Sequence, residues 1–224
     1  MAIGNGLSAF REVSPYNVIV DAGVIYKNVN LTELRMGGST AFANAIDPDN
    51  TWVDPNGATV APALMGLTRG GSRVRLNKEE RQVEFDSRRV NIKGMSRIDM
   101  INPQISTSVL ECGSQDIMEL SLGASETTEH IGWREIIPQL YVEDTDYIGN
   151  IALCASISGE RQPIVIVLSN ARATEVGEMG FEDKSEAVME LVFTGHALPS
   201  APLAVPIAYF VPVEYSGNAY SYTP

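Results

Sequence analysis

Alternating apolar and polar residues recur along the chain and predict antiparallel β-strands with one buried face. The clearest case is the segment Ala187–His196, where Met189, Leu191 and Phe193 fall on one face. Val74 and Leu76 alternate with arginines in the same way. The continuous β-branched run Ile164–Leu168 is instead typical of a strand that is buried on both faces.

Turn and cap residues divide these patterns into elements. Gly70-Gly71 predicts a turn that opens a hairpin over Gly71–Arg89, and Asn102-Pro103 predicts a break within a strand at Ser96–Cys112. A helix is expected between Ser114, its N-cap, and Gly123, its C-terminal stop. Two prolines in 203–213 favour an edge strand or a strand with bulges there.

About eight strands and one short α-helix predict a mainly β fold, an antiparallel β-sandwich or partly open barrel. The 224 residues suit a single domain over 1–224. Residues 1–17 lack a core pattern and are interpreted as an N-terminal arm. Residues 28–62 are rich in Gly, Pro, Asp and Asn and are interpreted as a long loop, the first place to expect contact with a neighbouring molecule.

Motifs for catalysis or ligand binding are missing from the sequence, so we expect neither an enzyme nor a bound cofactor or metal. His130 and His196 lie far from any nucleophile motif, and no dinucleotide fingerprint or P-loop is present. Glu143–Asp146 resembles a calcium loop only superficially and is interpreted as a solvated loop. Cys112 and Cys154 are expected to be small core residues.

Charge is distributed unevenly along the chain, whose net charge is −12. Residues 69–97 hold nine basic and four acidic side chains, a net charge of +5, which leaves −17 for the rest. The basic segment is either a solvated face or a surface that complements acidic surface on another copy of the chain. Such an acidic body argues against a dedicated nucleic-acid binder. The residues that we expect at a subunit interface are Arg69, Arg73, Arg75, Arg81, Arg88 and Arg89.

Several segments together resemble the major tail tube proteins of long-tailed, siphovirus-like bacteriophages. They are Leu67-Thr-Arg-Gly-Gly, Arg81-Gln-Val-Glu-Phe-Asp-Ser, Val90-Asn-Ile-Lys-Gly-Met, the strand ending at Glu111 with the helix at Ser114, the run from Asp183 to His196, and Pro206-Ile-Ala-Tyr-Phe. The resemblance covers residues 18–27 and 64–213. Residues 28–62 depart from the pattern.

The resemblance implies a structural virion protein that assembles with itself into stacked rings, usually hexameric, around a β-barrel channel for DNA. Its implied partners are further copies of itself and the tail tip, tape measure and tail terminator proteins, with DNA passing through without specific binding. No apolar stretch reaches the roughly 20 residues that span a bilayer, and no secretory signal is visible. We therefore expect no membrane insertion, synthesis and assembly in the host cytoplasm, and a final place in the phage tail.

Other functions remain open at this point. Another virion β-protein, such as a capsid decoration or head-completion protein, would share the composition and the lack of catalytic motifs. A carbohydrate-binding β-sandwich is disfavoured by the aromatic content of 7%. Paired carboxylates of a glycoside hydrolase are not excluded, because their pairing is spatial.

Overall fold

The computed structural model describes residues 23–66, 68–82, 93–110, 113–156, 162–176 and 187–212. Within these ranges the chain forms twelve strands, three α-helices and a 3-10 turn. The strands are β1 (Val24–Lys27), β2 (Trp52–Val53), β3 (Thr59–Val60), β4 (Ala63–Leu64), β5 (Thr68–Gln82), β6 (Ser96–Val109), β7 (Ser125–His130), β8 (Trp133–Pro138), β9 (Ile148–Ala155), β10 (Ile164–Val176), β11 (Met189–Gly195) and β12 (Ile207–Phe210). The helices are α1 (Leu31–Met36), α2 (Ala41–Ala45) and α3 (Gln115–Leu122), and the 3-10 turn is Asp144–Asp146.

Eight of the strands form one open antiparallel sheet, which confirms the mainly β fold. Its order is β4-β1-β9-β10-β11-β6-β5, and β12 also pairs with β10. The strands β12 and β11 pair with successive halves of β10, on either side of Asn170. Ile25 of β1 and Ile105 of β6 lie four strands apart in this order but share one core cluster, so the sheet curves around that core.

The main core lies on the concave side of the sheet. Leu191 and Phe193 of β11 are completely buried in it, as their alternating pattern predicted. Helix α3 contributes Ile117 and begins and ends at the expected residues. Gly123 adopts φ 69° at its C-terminus, and a Cβ atom there would collide with the carbonyl oxygen of Ala173. Glycine therefore serves both the helix stop and the close approach to β10.

The predicted long loop over 28–62 is wrong in one respect, because this segment has its own elements. It contains α1, α2 and the β2–β3 hairpin, which raises the number of α-helices in the described residues from the expected one to three. Leu31 and Ala45 from the helices pack with Ala152, Cys154 and Val167 in a second core cluster. The segment thus covers the other face of β9 and β10 with these apolar side chains.

Asn150 fixes the start of this segment to the sheet. Its fully buried side chain accepts a hydrogen bond from the Val29 backbone N–H and donates one to the Val29 carbonyl oxygen, each at 2.9 Å. These bonds replace the strand pairing that ends at Lys27, opposite Ile151. Asn30 then caps α1 by accepting from the backbone N–H of Thr32 at 3.0 Å.

The turn predicted at Gly70-Gly71 and the strand break predicted at Asn102-Pro103 are not found, because both lie inside continuous strands. Gly70 and Gly71 have φ of 80° and 83° but lie inside β5, at a register shift relative to β6, so they form a bulge and not a turn. Strand β6 runs through Pro103 without a break. Its pairing with β11 starts one residue later, at Gln104, so Pro103 has β5 as its single neighbouring strand. A proline is tolerated at such a position, because no second strand needs its backbone N–H.

The expected N-terminal arm at 1–17 lies outside the described residues. The edge strand expected in 203–213 is present as β12, which pairs with β10.

Candidate assembly surface

The candidate surface is the hairpin formed by β5 and β6, whose strands have 15 and 14 residues. The predicted hairpin over Gly71–Arg89 is wrong, because residues 71–82 continue a single strand, β5, whose partner is β6; residues 83–89 lie outside the described residues. Near the body of the protein, Val74 pairs with the buried Ile105 and packs against the main core. Farther out, residues 77–81 and 96–100 are all exposed, so the hairpin extends beyond the core.

Arg73 and Arg75 lie on the face of β5 turned away from the core. Directly paired residues of antiparallel strands share a face, and these two arginines pair with Ser106 and Gln104. Both arginines are exposed, and neither has a salt-bridge partner among the residues described. On the same face, farther out, Met100 pairs with Glu79 and is 55% exposed. Ile98 pairs with Glu80 and lies on the other face, because β6 has one extra residue between Met100 and Ile98. We call Arg73, Arg75 and Met100 the basic outer face.

The other predicted interface residues are placed differently. Arg69 is exposed at the bulge of β5. Arg81 lies on the same face of β5 as Arg73, and its Nε donates to Asp99 Oδ2 at 3.0 Å. Arg88 and Arg89 lie outside the described residues. The structure therefore brings Arg73, Arg75 and Arg81 together on one face of β5, where Arg81 differs from the other two in being paired with Asp99.

A second exposed hairpin, β7–β8, did not emerge from the sequence. It pairs apart from the main sheet, with a turn at Ile131-Gly132. Ile131 is fully exposed at the turn, and Trp133 beside it is 81% exposed. Trp133 follows Gly132 in the sequence, but period-two alternation is weak in β7, whose six residues include no aliphatic side chain. The signal that could have located this hairpin is the Gly132 turn between two short polar runs.

Ionic contacts fix the β7–β8 hairpin against α3. The Arg134 guanidinium bridges Glu129, at 2.8 Å, and Glu119 of α3, at 3.4 Å. Thr127 Oγ1 donates to the same Glu119 carboxylate at 3.1 Å. The hydrogen bond to Glu129, together with the two negative charges, raises the pKa of Arg134. The face of the hairpin that carries Thr127, Glu129 and Arg134 is therefore the one directed at the protein body.

An open pocket of about 250 Å³ lies beside α3. The acidic side chains that line it have partners: Asp116 accepts from Lys27 Nζ at 2.9 Å, and Glu119 pairs with Arg134. The hydrogen bond from Lys27 and its charge lower the pKa of Asp116. Asp146 accepts from the backbone N–H of Glu143 at 2.7 Å, which makes Glu143–Asp146 a capped 3-10 turn. These carboxylates stabilise local structure.

The two histidines and the described cysteine also have structural surroundings. His130 Nε2 is 2.9 Å from Glu135 Oε2, and the ring of His196 makes an edge contact with Tyr147 at 5.1 Å. Cys154 is buried, and burial raises the pKa of its thiol to about 12. Among the described residues no group of three His, Cys, Asp or Glu side chains could hold a metal ion. No helix in the described ranges is long and apolar enough to cross a membrane.

Comparison with solved structures finds distant likenesses to phage-like particles. One is a chain of the virion of a native gene transfer agent particle, with 11% identity and a TM-score of 0.35 over 65% of this chain and 86% of the other. Another is a chain of the tail of an empty gene transfer agent particle with C6 symmetry, with 13% identity and a TM-score of 0.30 over 66% and 90%. No protein-family model matches the chain, and no curated protein sequence matches it.

Proposed function

We propose that this chain is the subunit of a phage-like tail tube, and that it assembles into stacked rings around a channel for DNA. The observation that carries the proposal is the edge strand β5. It has 15 residues, its one partner among the described strands is β6, and it extends past the core. An exposed edge of this length is a template for pairing with another chain, and closure of copies into a ring removes it.

The charge distribution supports the same proposal. The basic residues concentrate in 69–97, whereas the rest of the chain carries −17. Duplex DNA has one phosphate per roughly 1.7 Å of its axis, so a basic channel would bind it and an acidic channel would let it move. In the proposed tube, the arginines therefore lie at contacts between copies and the acidic surface lines the lumen.

The partners in this proposal follow from the resemblance to tail tube proteins. They are neighbouring copies in a ring, hexameric in that family, and the tail tip, tape measure and tail terminator proteins. The chain would be synthesised and assembled in the host cytoplasm and would end in the virion. In this function it needs neither a catalytic residue nor a cofactor.

Negative-stain electron microscopy of the purified protein, before and after concentration, tests the proposal. We expect rings or tubes with a stain-filled channel wide enough for duplex DNA. Closed trimers, or particles that bind only to a capsid lattice, would instead establish a decoration or head-completion protein.

Charge reversal tests the proposed role of the basic outer face. Arg73→Glu or Arg75→Glu should raise the concentration needed for assembly by roughly tenfold, which corresponds to about 1.4 kcal/mol per subunit contact. The matched control is Arg35→Glu, which makes the same charge change at an exposed position of α1. Equal assembly of all three variants, each folded by circular dichroism, would remove the arginines from the interface.

A further inference from the structure

The solvent face of the β7–β8 hairpin combines apolar and acidic side chains. Three residue pairs share this face: His130 with Trp133, Thr128 with Glu135, and Glu126 with Ile137. All six side chains are exposed. We call Trp133, Ile137, Glu126 and Glu135 the acidic aromatic face. The apolar surface continues past the strand, where Leu140 is 94% exposed and Tyr141 81%.

Exposed apolar surface of this kind has a cost in water. Monomeric proteins seldom expose contiguous large apolar side chains, and such patches mark binding sites. The hairpin is held in place by Arg134 on its other face, so Trp133 and Ile137 cannot turn inward without breaking the contacts with Glu119 and Glu129. The acidic aromatic face is therefore a preformed surface; within the described residues Glu135 contacts His130 of the same hairpin, and no other segment covers the face.

The basic outer face of β5–β6 has the complementary chemistry. It presents two arginines on β5, and the exposed Met100 of β6 lies farther out on the same face. A guanidinium group binds the face of a tryptophan ring and pairs with carboxylates, so arginine suits a partner that offers both. The basic outer face thus offers guanidinium groups, and the acidic aromatic face offers carboxylates and an indole ring.

The spacing of the charged groups also agrees. Arg73 and Arg75 are two residues apart on one strand, a distance of roughly 7 Å. Glu135 lies opposite Thr128 and Glu126 lies two residues before Thr128, so the two glutamates occupy diagonal positions. Diagonal neighbours on paired strands are roughly 7–8 Å apart. Both arginines can therefore pair with both glutamates at once.

We infer that the acidic aromatic face of one copy binds the basic outer face of a second copy. In this contact Arg73 and Arg75 pair with Glu126 and Glu135 and cover Trp133. The inference deepens the proposed function, on which it rests for the presence of many copies, by naming both sides of a subunit contact. The two surfaces are different parts of the chain, so the contact is heterologous and propagates from copy to copy into a ring or a filament.

Mixed-pair cross-linking tests the contact directly. Asn77→Cys places a thiol on the basic outer face beside Arg75, and Thr128→Cys places one between Glu126 and Glu135; both native side chains are exposed. With a short bis-maleimide, we expect dimers from the mixture of the two variants and not from either variant alone. The parent chain controls for Cys112 and Cys154, and Thr32→Cys on α1, mixed with Asn77→Cys, controls for random collision.

A charge exchange provides the second measurement. Glu135→Arg should weaken assembly by at least tenfold, and adding Arg75→Glu to the same chain should recover most of the loss. Recovery would not follow from a merely structural role of Glu135, because Arg75 lies in a different hairpin.

The outcomes separate this inference from the proposed function. Rings or tubes without mixed-pair cross-links and without charge-exchange recovery would overturn the inference and leave the tube function standing. Mixed-pair cross-links in open filaments without a channel would support the contact and overturn the tube function. A protein that stays monomeric at every concentration, with no cross-link, would overturn both.

Discussion

Strand β9 and the outer half of the β5–β6 hairpin belong to one sheet but have opposite surroundings. In β9, every residue after Ile148 is buried: Ile151 and Leu153 face the main core, whereas Ala152 and Cys154 face the second cluster. In the outer hairpin, residues 77–81 and 96–100 are exposed on both faces. Antiparallel pairing thus occurs both in a strand that is buried on its two faces and in a hairpin that is exposed on its two faces.

The difference shows where the chain supplies its own packing and where it does not. Residues 28–62 supply the second layer over β9 through α1 and α2. No described segment covers the outer hairpin, whose stability comes from its ladder of backbone hydrogen bonds and a few surface contacts such as Arg81 with Asp99. An isolated two-stranded ribbon is marginally stable in water. The outer hairpin is therefore expected to gain order when a second copy binds it.

Replacing one large side chain by alanine in each region should give the largest difference in stability between them. Phe193→Ala removes a completely buried ring from the main core and should lower the free energy of unfolding by about 3–5 kcal/mol. Ile98→Ala in the outer hairpin should change it by less than about 0.5 kcal/mol. Urea unfolding followed by circular dichroism measures both values.

A large loss of stability from Ile98→Ala would contradict the comparison, because it would mean that the outer hairpin packs against its own chain. Electron microscopy of the same two variants sharpens the result. Ile98→Ala should remain folded and assemble less readily, whereas any assembly defect of Phe193→Ala should follow its unfolding.

The next test compares the loss of a buried asparagine, Asn150, with the loss of an exposed one, Asn77. Asn150→Leu leaves the buried N–H and carbonyl of Val29 without partners, and each orphaned group costs about 1–3 kcal/mol. We expect a total loss of about 2–6 kcal/mol in the free energy of unfolding. The matched control is Asn77→Leu, at an exposed position of the hairpin, which should be within about 0.5 kcal/mol of the parent.

Hydrogen exchange can localise the effect of Asn150→Leu. Faster exchange in residues 28–62 than in β11 would show that Asn150 anchors the segment to the sheet. Uniform acceleration throughout the protein would contradict this local role and indicate a general loss of stability.

The strands that the sequence predicted correctly are those with one consistent buried face. The alternation in β11 worked because Met189, Leu191 and Phe193 face a single core, and α3 was found because Ser114 and Gly123 mark its ends. Helices α1 and α2 have six and five residues, too short for a periodic signal. Such short helices depend on tertiary packing, which a local pattern does not contain.

Errors at the glycines and in the hairpin pairing have a similar origin. A positive φ at Gly70 and Gly71 suits a turn and a bulge equally, so the sequence could not distinguish them. At the candidate surface, alternation placed Arg73 and Arg75 on one exposed face. The acidic aromatic face was not predicted, because Glu126 and Glu135 meet through the pairing of β7 with β8 and not through their spacing in the sequence.

The smallest expected effect concerns the ion pair between Lys27 of β1 and Asp116 of α3, which joins the two-core region to the helix beside it. Because Lys27 lowers the pKa of Asp116 in the folded protein, the carboxylate stabilises the fold above the usual pKa of 3.8, and this contribution disappears as the pH falls through the lowered pKa. The Asp116 side chain is 63% exposed, so solvent screening limits the pair to about 0.2–1 kcal/mol. Asp116→Asn should lower the free energy of unfolding by that amount at neutral pH and by almost nothing at about pH 2. The control Asp144→Asn changes an exposed carboxylate of the 3-10 turn, and an equal pH dependence in both variants would show that the Lys27 contact contributes nothing specific.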